Sequence, residues 1–504
     1  MSRTAKLEKR LKSVTGPVAH EQTFEHKWVI PRAGEIVTAS IGGVGEIGMN
    51  MTLYGTNGRY VVVDAGVGFV HQDVKEKTGI GSKTIDSQTL EEIYPNLDAI
   101  VITHAHEDHI GGVVELLKSI SLPVYATPLA TAILELKIKD SKLDYTPEIH
   151  VFNPGDEFKI GDLNIKTGSM SHSVPESCCM FFTTEGVEKG ILHTGDYNMD
   201  ESPATGYIDR NFLRSLGDSN RVGAVVGDST NVLKHGRFSE KDVADGIENV
   251  MQTEKGGLFV ACFASHVGRI ATIAEAARRS GRQVAVAGRS MKNFAKVGRE
   301  LGYLDGLPEF IEPEELDKLP QNERVLIMTG TQGEPNAALA RMLTNVGGKT
   351  DMRFPNVRYG DTILISGRTI PGNEKMVRDI LAGYRNLGVN TIDGRDTSNG
   401  KPLHISGHAS YDDIKELYEL TKPDVVIPVH GEAIHLIAHA ELAQEMGKDY
   451  LIPTPGAILS LDNDGVHHIG HITPIIQEHL AHDAPRNQRK MNHSRPRNDA
   501  PSPF

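Results

Sequence analysis

The stretch His104-Ala-His106-Glu-Asp108-His109 places three imidazoles and two carboxylates in six residues. In extended chain, residues two apart point the same way, so His104 and His106 can grip one ion. A turn into a helix after them would swing Asp108 and His109 toward a second position. Imidazole and carboxylate are ligands suited to Zn²⁺ or Mn²⁺. With no thiolate in the cluster, an open, water-bearing catalytic site is expected rather than a closed structural one. One loop cannot fill two coordination spheres. His172, Asp196 and His430 are the candidates to complete them. Taken alone, each could be structural; beside the loop, they are what a bridged two-metal site lacks. Other lone histidines (His193, His235, His435, His467, His468) read as surface or core residues.

These residues sit where strands end. Ala99-Ile-Val-Ile-Thr103 is a continuous apolar run, as in a strand buried on both faces, and it opens directly into the histidine loop. The strand-like run 59–64 ends at Asp64, 190–196 at Asp196, 224–228 at Asp228 and 424–430 at His430. Ligand-handling residues gather where strands give way to loops. Five such ends suggest one composite site. Between Asp228 and His404 the chain has its own α/β rhythm, with strand candidates at 257–262, 283–287, 324–328 and 361–365. The His/Asp chemistry resumes only after it. This second parallel-sheet unit therefore reads as inserted into the first domain.

Composition agrees with a soluble globular chain. The 504 residues suggest about three domains, and no run approaches the ~18 apolar residues of a spanning helix. The start, with Lys6, Lys9, Arg10 and Lys12 and no apolar core, is not expected to act as a secretory signal. Three cysteines without a C-x-x-C fit a reducing, cytoplasmic setting. The net charge of −13 does not advertise a nucleic-acid binder, although a local basic channel can sit on an acidic body.

The set Asp64, His104, His106, Asp108, His109, His172 and Asp196 resembles the metallo-β-lactamase superfamily, a four-layer αββα sandwich. Asp228 in Gly-Asp-Ser-Thr-Asn231, His408 in His404-Ile-Ser-Gly-His408 and His430 in Pro-Val-His-Gly-Glu432 resemble motifs A, B and C of its β-CASP nucleases. Four further stretches are similar to the ribonuclease J group: 42–48, Phe263-Ala-Ser-His-Val-Gly-Arg269, Thr329-Gly-Thr-Gln-Gly-Glu-Pro335 and Ile370-Pro-Gly-Asn-Glu374. His266 departs from the Asn found in many members.

This resemblance implies an α/β fold: a metallo-β-lactamase sandwich with an inserted β-CASP domain. The expected parts are a mobile arm (1–33), the sandwich's first part (34–222), the inserted domain (223–395) and the sandwich's second part (396–460). A truncated C-terminal segment with a disordered basic tail (461–504) would follow. It also implies two divalent ions, Zn²⁺ first and Mn²⁺ as the alternative. His104, His106, His172 and Asp196 would hold one, and Asp108, His109, Asp196 and His430 the other. Asp64 would orient loop ligands. His408, with Asp228 beside it, would donate to the scissile phosphate.

The implied activity is 5′→3′ exonucleolytic cleavage of single-stranded RNA bearing a 5′-monophosphate. Nucleoside 5′-monophosphates would leave, and internal cleavage would occur where the channel admits a strand without its end. RNA maturation and mRNA decay are the expected processes. His404, Ile405, Ser406, Gly407 and His408, with Ser229 and Thr230, would form the 5′-phosphate pocket. Ser265, His266 and Val267 would border the terminal nucleotide. A cytoplasmic homodimer or homotetramer without membrane contact is expected. The rivals are a DNA-processing β-CASP nuclease, a non-nucleolytic metallo-hydrolase lacking the inserted unit, and an inactive RNA-binding scaffold that would have lost ligands.

Overall fold

The computed structural model describes residues 26–70, 72–201, 206–345, 354–370 and 372–481. Two large sheets face each other. The first has eight strands in the order Gly465–His471, Ala457–Asp462, Ile36–Gly42, Met51–Thr56, Arg59–Val63, Leu97–Val101, Val124–Ala126, Ile149–Val151. The second has seven: Glu157–Ile160, Leu163–Ser169, Cys178–Thr183, Gly190–His193, Val222–Asp228, Val425–Val429, Asp449–Tyr450.

Alternation along the strands explains the layering. Val61, Val63, Ala99 and Val101 pack into the core between the sheets, with Ile165, Ile191 and Val225 of the facing sheet. Val62, Ile100 and Ile102 point the other way, into a core shared with Leu116, Leu129 and Ile133 of the outer helices. Residues 99–103 are buried on both faces of the sheet, which is why they read as an unbroken apolar run.

The inserted unit is a third sheet, all parallel, in the order Gln283–Ala287, Arg324–Met328, Leu258–Ala261, Thr362–Ile365, Asn390–Ile392. The chain leaves the sandwich after Val222–Asp228 and returns as Val425–Val429, which pairs parallel with the strand it left, Asp228 opposite Val429. This register sets the residues after Asp228 beside His430. It also assigns 222–228 to the sandwich, so the insertion begins later than the expected residue 223.

Two other stretches differ from the sequence reading. The described end of the expected mobile arm is packed: Trp28 is 6% exposed, and its Nε1–H donates to Thr89 O at 2.8 Å. The expected C-terminal segment contributes Gly465–His471 as an edge of the first sheet, and Ile476–Leu480 pairs with Ile80–Ile85. The hairpin closes at Gly465, whose φ of 127° suits glycine. Residues 1–25, with the basic positions noted there, and 482–504, where most of the expected basic tail falls, lie outside the described residues. Among the described residues, no helix is long and apolar enough to cross a membrane.

Candidate metal centre

The histidine loop is built by the end of strand Leu97–Val101 and the short helix Glu107–Ile110. His106 precedes that helix in extended backbone (φ −74°, ψ 148°). Chain direction therefore changes between His106 and Asp108, and the two halves of the motif face different positions. Gly66 permits the close packing: a Cβ there would lie 1.7 Å from Asp108 O. Asn50 completes the frame, its backbone N–H donating to the same oxygen at 3.0 Å.

Two ligand sets result. His104, His106, His172 and Asp196 offer atoms within 4.8 Å of one another, and so do Asp108, His109, Asp196 and His430. In the first, His106 Nδ1 lies 3.1 Å from His104 Nε2 and 2.9 Å from His172 Nε2. Nitrogens sharing one tetrahedral Zn²⁺ at ~2.0–2.1 Å would stand roughly 3.3 Å apart. In the second, Asp196 Oδ2 lies 3.1 Å from His109 Nε2, and Asp196 Oδ1 lies 2.8 Å from His430 Nδ1. Asp196 faces both sets, one carboxylate between two positions.

Electrostatics separates the sets. Burial pushes His104, His106 and His172 down, His172 to about 4, so their rings are neutral at pH 7 with lone pairs available. Burial also opposes charge on His109 and His430. There the carboxylates prevail, Asp196 foremost, and His430 is raised to about 10. The second set thus gathers protons to balance its carboxylates, a demand a divalent cation would also meet. His430 Nε2 is buried and without a hydrogen-bond partner, although Asp108 Oδ2 stands 3.3 Å away. An orphaned ring nitrogen beside a carboxylate is a donor pair that suits a cation.

Asp64 sits beneath the second set. Its Oδ1 accepts from Thr103 N at 2.8 Å, and its Oδ2 faces Thr103 Oγ1 at 2.8 Å and His109 Nδ1 at 2.7 Å. This keeps the proton of His109 on Nδ1 and frees Nε2 for the site. Asp64 (φ 62°) and His430 (φ 52°) are both held in left-handed backbone, strain that clusters at functional sites.

His408 lies at the rim, 21% exposed, with Nδ1 2.9 Å from Asp228 Oδ2 and 3.6 Å from Asp196 Oδ2. Burial would lower its pKa, but Asp228 and Asp196 raise it above the ordinary value. Asp196, Asp228, His408 and His430 also offer atoms within 4.8 Å of one another. The loop before it, 404–407, is partly exposed, and His404 Nδ1 has no partner. Ile405 packs its side chain against the core, and His408 N donates to Ser406 Oγ at 3.4 Å, leaving that hydroxyl's proton free.

Several expected pocket residues turn out to face inward. Ser229 is fully buried. Its hydroxyl lies 2.8 Å from His439 Nδ1, and its N–H donates to Val429 O, so neither donor reaches the cleft. Thr230 places its Oγ1 2.6 Å from Asp228 Oδ1 and 3.0 Å from His430 O; it fixes Asp228 rather than offering a free hydroxyl. His266 and Val267 are buried at the start of helix Val267–Arg279, and only Ser265 of that trio is partly exposed. His266 caps the helix: its Nδ1 accepts from Arg269 N, and its Nε2 stands 3.3 Å from Glu240 Oε1. An acceptor at this position is what a helix start requires, so His substitutes there for Asn.

Other functional neighbours were not singled out from sequence. Asn198, Glu240 and Ser366 act by bonding backbone or buried charge, which leaves no spacing signal. Gln332 joins two of the motif stretches: its Oε1 accepts from Ile370 N at 2.7 Å, and its Nε2 donates to Arg368 O at 2.9 Å. Arg368 in turn donates to Asn231 Oδ1 at 3.1 Å, linking the inserted unit to the Asp228 turn.

Comparison with known proteins bears on this arrangement. A β-lactamase superfamily domain matches residues 59–211, the β-CASP domain of ribonuclease J matches 255–383, and a Zn-dependent metallo-hydrolase RNA specificity domain matches 401–453. The chain is 38% identical over 420 residues to ribonuclease J of Sinorhizobium meliloti, covering 82% of this chain and 72% of that one. It is 33% identical over 446 residues to ribonuclease J 1 of Streptococcus pyogenes serotype M3 (87% and 77%). With ribonuclease J2 of Bacillus subtilis it shares 32% over 411 residues (81% and 71%). A crystal structure of a protein of unknown function from Enterococcus faecalis V583 superposes with a TM-score of 0.57 at 14% identity, over 85% of this chain and all of that one. The fold is a metallo-β-lactamase sandwich carrying a β-CASP insertion, and the superfamily implies divalent metal binding.

Proposed function

The chain belongs to the ribonuclease J family, and from that membership we propose that it is a metal-dependent 5′→3′ exoribonuclease. Its substrate is single-stranded RNA with a 5′-monophosphate, and its products are nucleoside 5′-monophosphates. One observation carries the reading: the partly exposed loop 404–408 ends at His408, which contacts Asp228 at the rim of two ligand sets sharing Asp196.

His104, His106, His172 and Asp196 would hold one divalent ion, and Asp108, His109, Asp196 and His430 the second. Zn²⁺ suits these ligands, with Mn²⁺ the alternative. Ions held there supply Lewis acidity, lowering the pKa of water and offsetting charge on phosphoryl oxygens. Asp228 accepts the Nδ1 proton of His408 and holds the ring in place. His408 then presents Nε2–H toward the scissile phosphate or the departing 3′ oxygen. The free hydroxyl proton of Ser406, the partly exposed His404 and the N–H groups of 405–407 hold the terminal phosphate. Such contacts set position without reading bases. A pocket this near the ligand sets places the first internucleotide bond over them. Internal cleavage follows where RNA enters between the sandwich and the inserted unit without its end. A homodimer or homotetramer is part of this reading, checked by sedimentation.

The test is metal content by elemental analysis, followed by incubation with matched single-stranded RNA and DNA and chromatography of the products. Nucleoside 5′-monophosphates from RNA support the proposal. Turnover of DNA alone, or of neither polymer, contradicts it.

A further inference from the structure

The loop 403–408 is held carbonyl by carbonyl. Leu403 O accepts from Ser366 Oγ at 2.7 Å and from the fully buried Arg269 at 3.4 Å. Ser406 O accepts from Asn198 Nδ2 at 3.4 Å, and His408 O from Asn231 Nδ2 at 3.2 Å. The remaining carbonyl of the loop's second half, Gly407 O, lies 2.7 Å from His172 Nδ1. A carbonyl can only accept, so the His172 proton sits on Nδ1, and Nε2 carries the lone pair that faces His106 and Asp196.

The approach needs a residue without a side chain. A Cβ on Gly407 would lie 2.7 Å from His172 Nδ1, 2.8 Å from His172 Cε1 and 2.9 Å from Ser173 N. Its backbone conformation is open to any residue; only the space is not. With metal bound neither obstacle can yield; without it the ring alone is free to turn away. The ring is fixed at its other nitrogen by the cluster, and Ser173 N is backbone. Ser173 also stands 3.3 Å from His106 Nε2 through its hydroxyl, so a shift there would disturb a second ligand.

We infer that Gly407 is a positioning residue for the metal set His104, His106, His172 and Asp196, its carbonyl selecting the His172 tautomer and its missing side chain allowing that contact. The inference rests on the metal-dependent reading above and adds a coupling to it. The loop assigned to the RNA 5′ phosphate is the one that orients a metal ligand. The inserted unit reaches that ligand through Ser366 and Leu403.

The test compares Gly407→Ala with wild type and with Ser406→Ala, each loaded with Zn²⁺ and dialysed against a chelator. Metal equivalents are read by elemental analysis, and unfolding midpoints are read with and without metal. Loss of such an outer hydrogen bond typically weakens metal ~10–100-fold. Gly407→Ala should therefore lose one equivalent and most of the metal-induced rise in midpoint, with its metal-free midpoint near wild type; Ser406→Ala should keep both equivalents. Two equivalents of wild-type affinity in Gly407→Ala overturn the inference alone, whereas a wild type that binds no divalent metal overturns the functional reading with it. Should Gly407→Ala fail to fold, ¹⁵N-histidine spectra of ¹¹³Cd-loaded wild type decide. Coupling of cadmium to His172 Nε2 beside a protonated Nδ1 supports the coupling, and coordination through Nδ1 overturns it.

Discussion

His408 Nδ1 stands 2.9 Å from Asp228 Oδ2, and that contact joins two halves of the sandwich separated by the inserted unit. His408 lies beside both ligand sets yet is surplus to them. The variant His408→Ala should keep two metal equivalents and lose RNA turnover by ~10²-fold or more, the scale of a positioned acid or donor. Elemental analysis beside initial rates checks this; loss of one metal equivalent would make His408 a ligand.

His106 tests the ligands themselves. Its Nδ1 lies within 3.1 Å of ring nitrogens from both His104 and His172. Replacement by alanine should remove metal from that set first and activity with it, while circular dichroism stays at wild type. Near-normal turnover with full metal would contradict the assignment.

Asp64 accepts from Thr103 and His109 in a buried position. The Asp64→Asn variant sets an amide NH₂ among donors and favours moving the His109 proton to Nε2, the site-facing nitrogen. Metal affinity should fall ~10–100-fold, as for other partners of metal-bound histidines. Isothermal titration with Zn²⁺ measures it, and an unchanged affinity would remove Asp64 from the site's framework.

Glu240 and Arg269 are both buried, and His266 joins them. Removing one partner leaves a buried charge, so Arg269→Met should cost about 3–5 kcal/mol. Burial opposes ionisation of Glu240, but Arg269 and His266 hold its carboxyl well below its ordinary value of 4.5. A folded pKa below the unfolded one contributes stability that is complete above ~4.5 and is lost as pH falls below it. Denaturant midpoints of wild type should therefore drop more steeply than those of Glu240→Gln below that pH. Parallel acid limbs would contradict the pairing.

The sandwich strands were legible because burial on both faces leaves unbroken apolar runs, as at 99–103 and 224–228. The histidine loop was legible because its spacing is dense in ligands. The edge hairpin 457–471 was not, since Gly465-Val-His-His-Ile-Gly-His471 shows no apolar alternation. Nor was the inward turn of Ser229, whose partner His439 comes 210 residues later. Residue type suggested a phosphate donor there, but side-chain direction is set by the Asp228 strand end and cannot be read from type. The same limit hid the second face of Gly407, expected in the phosphate pocket, whose carbonyl meets His172.

The most direct measurement of the central claim follows one RNA labelled at its 3′ end and carrying a 5′-hydroxyl, 5′-monophosphate or 5′-triphosphate, with wild type and Ser406→Ala. Two further phosphates need room that a pocket fitted to one lacks, so specificity follows from exclusion. A one-nucleotide ladder from the monophosphorylated end should appear much faster than from the others, with Ser406→Ala losing that preference more than internal cleavage. Equal rates on all three ends, or equal losses of both activities in Ser406→Ala, would contradict it.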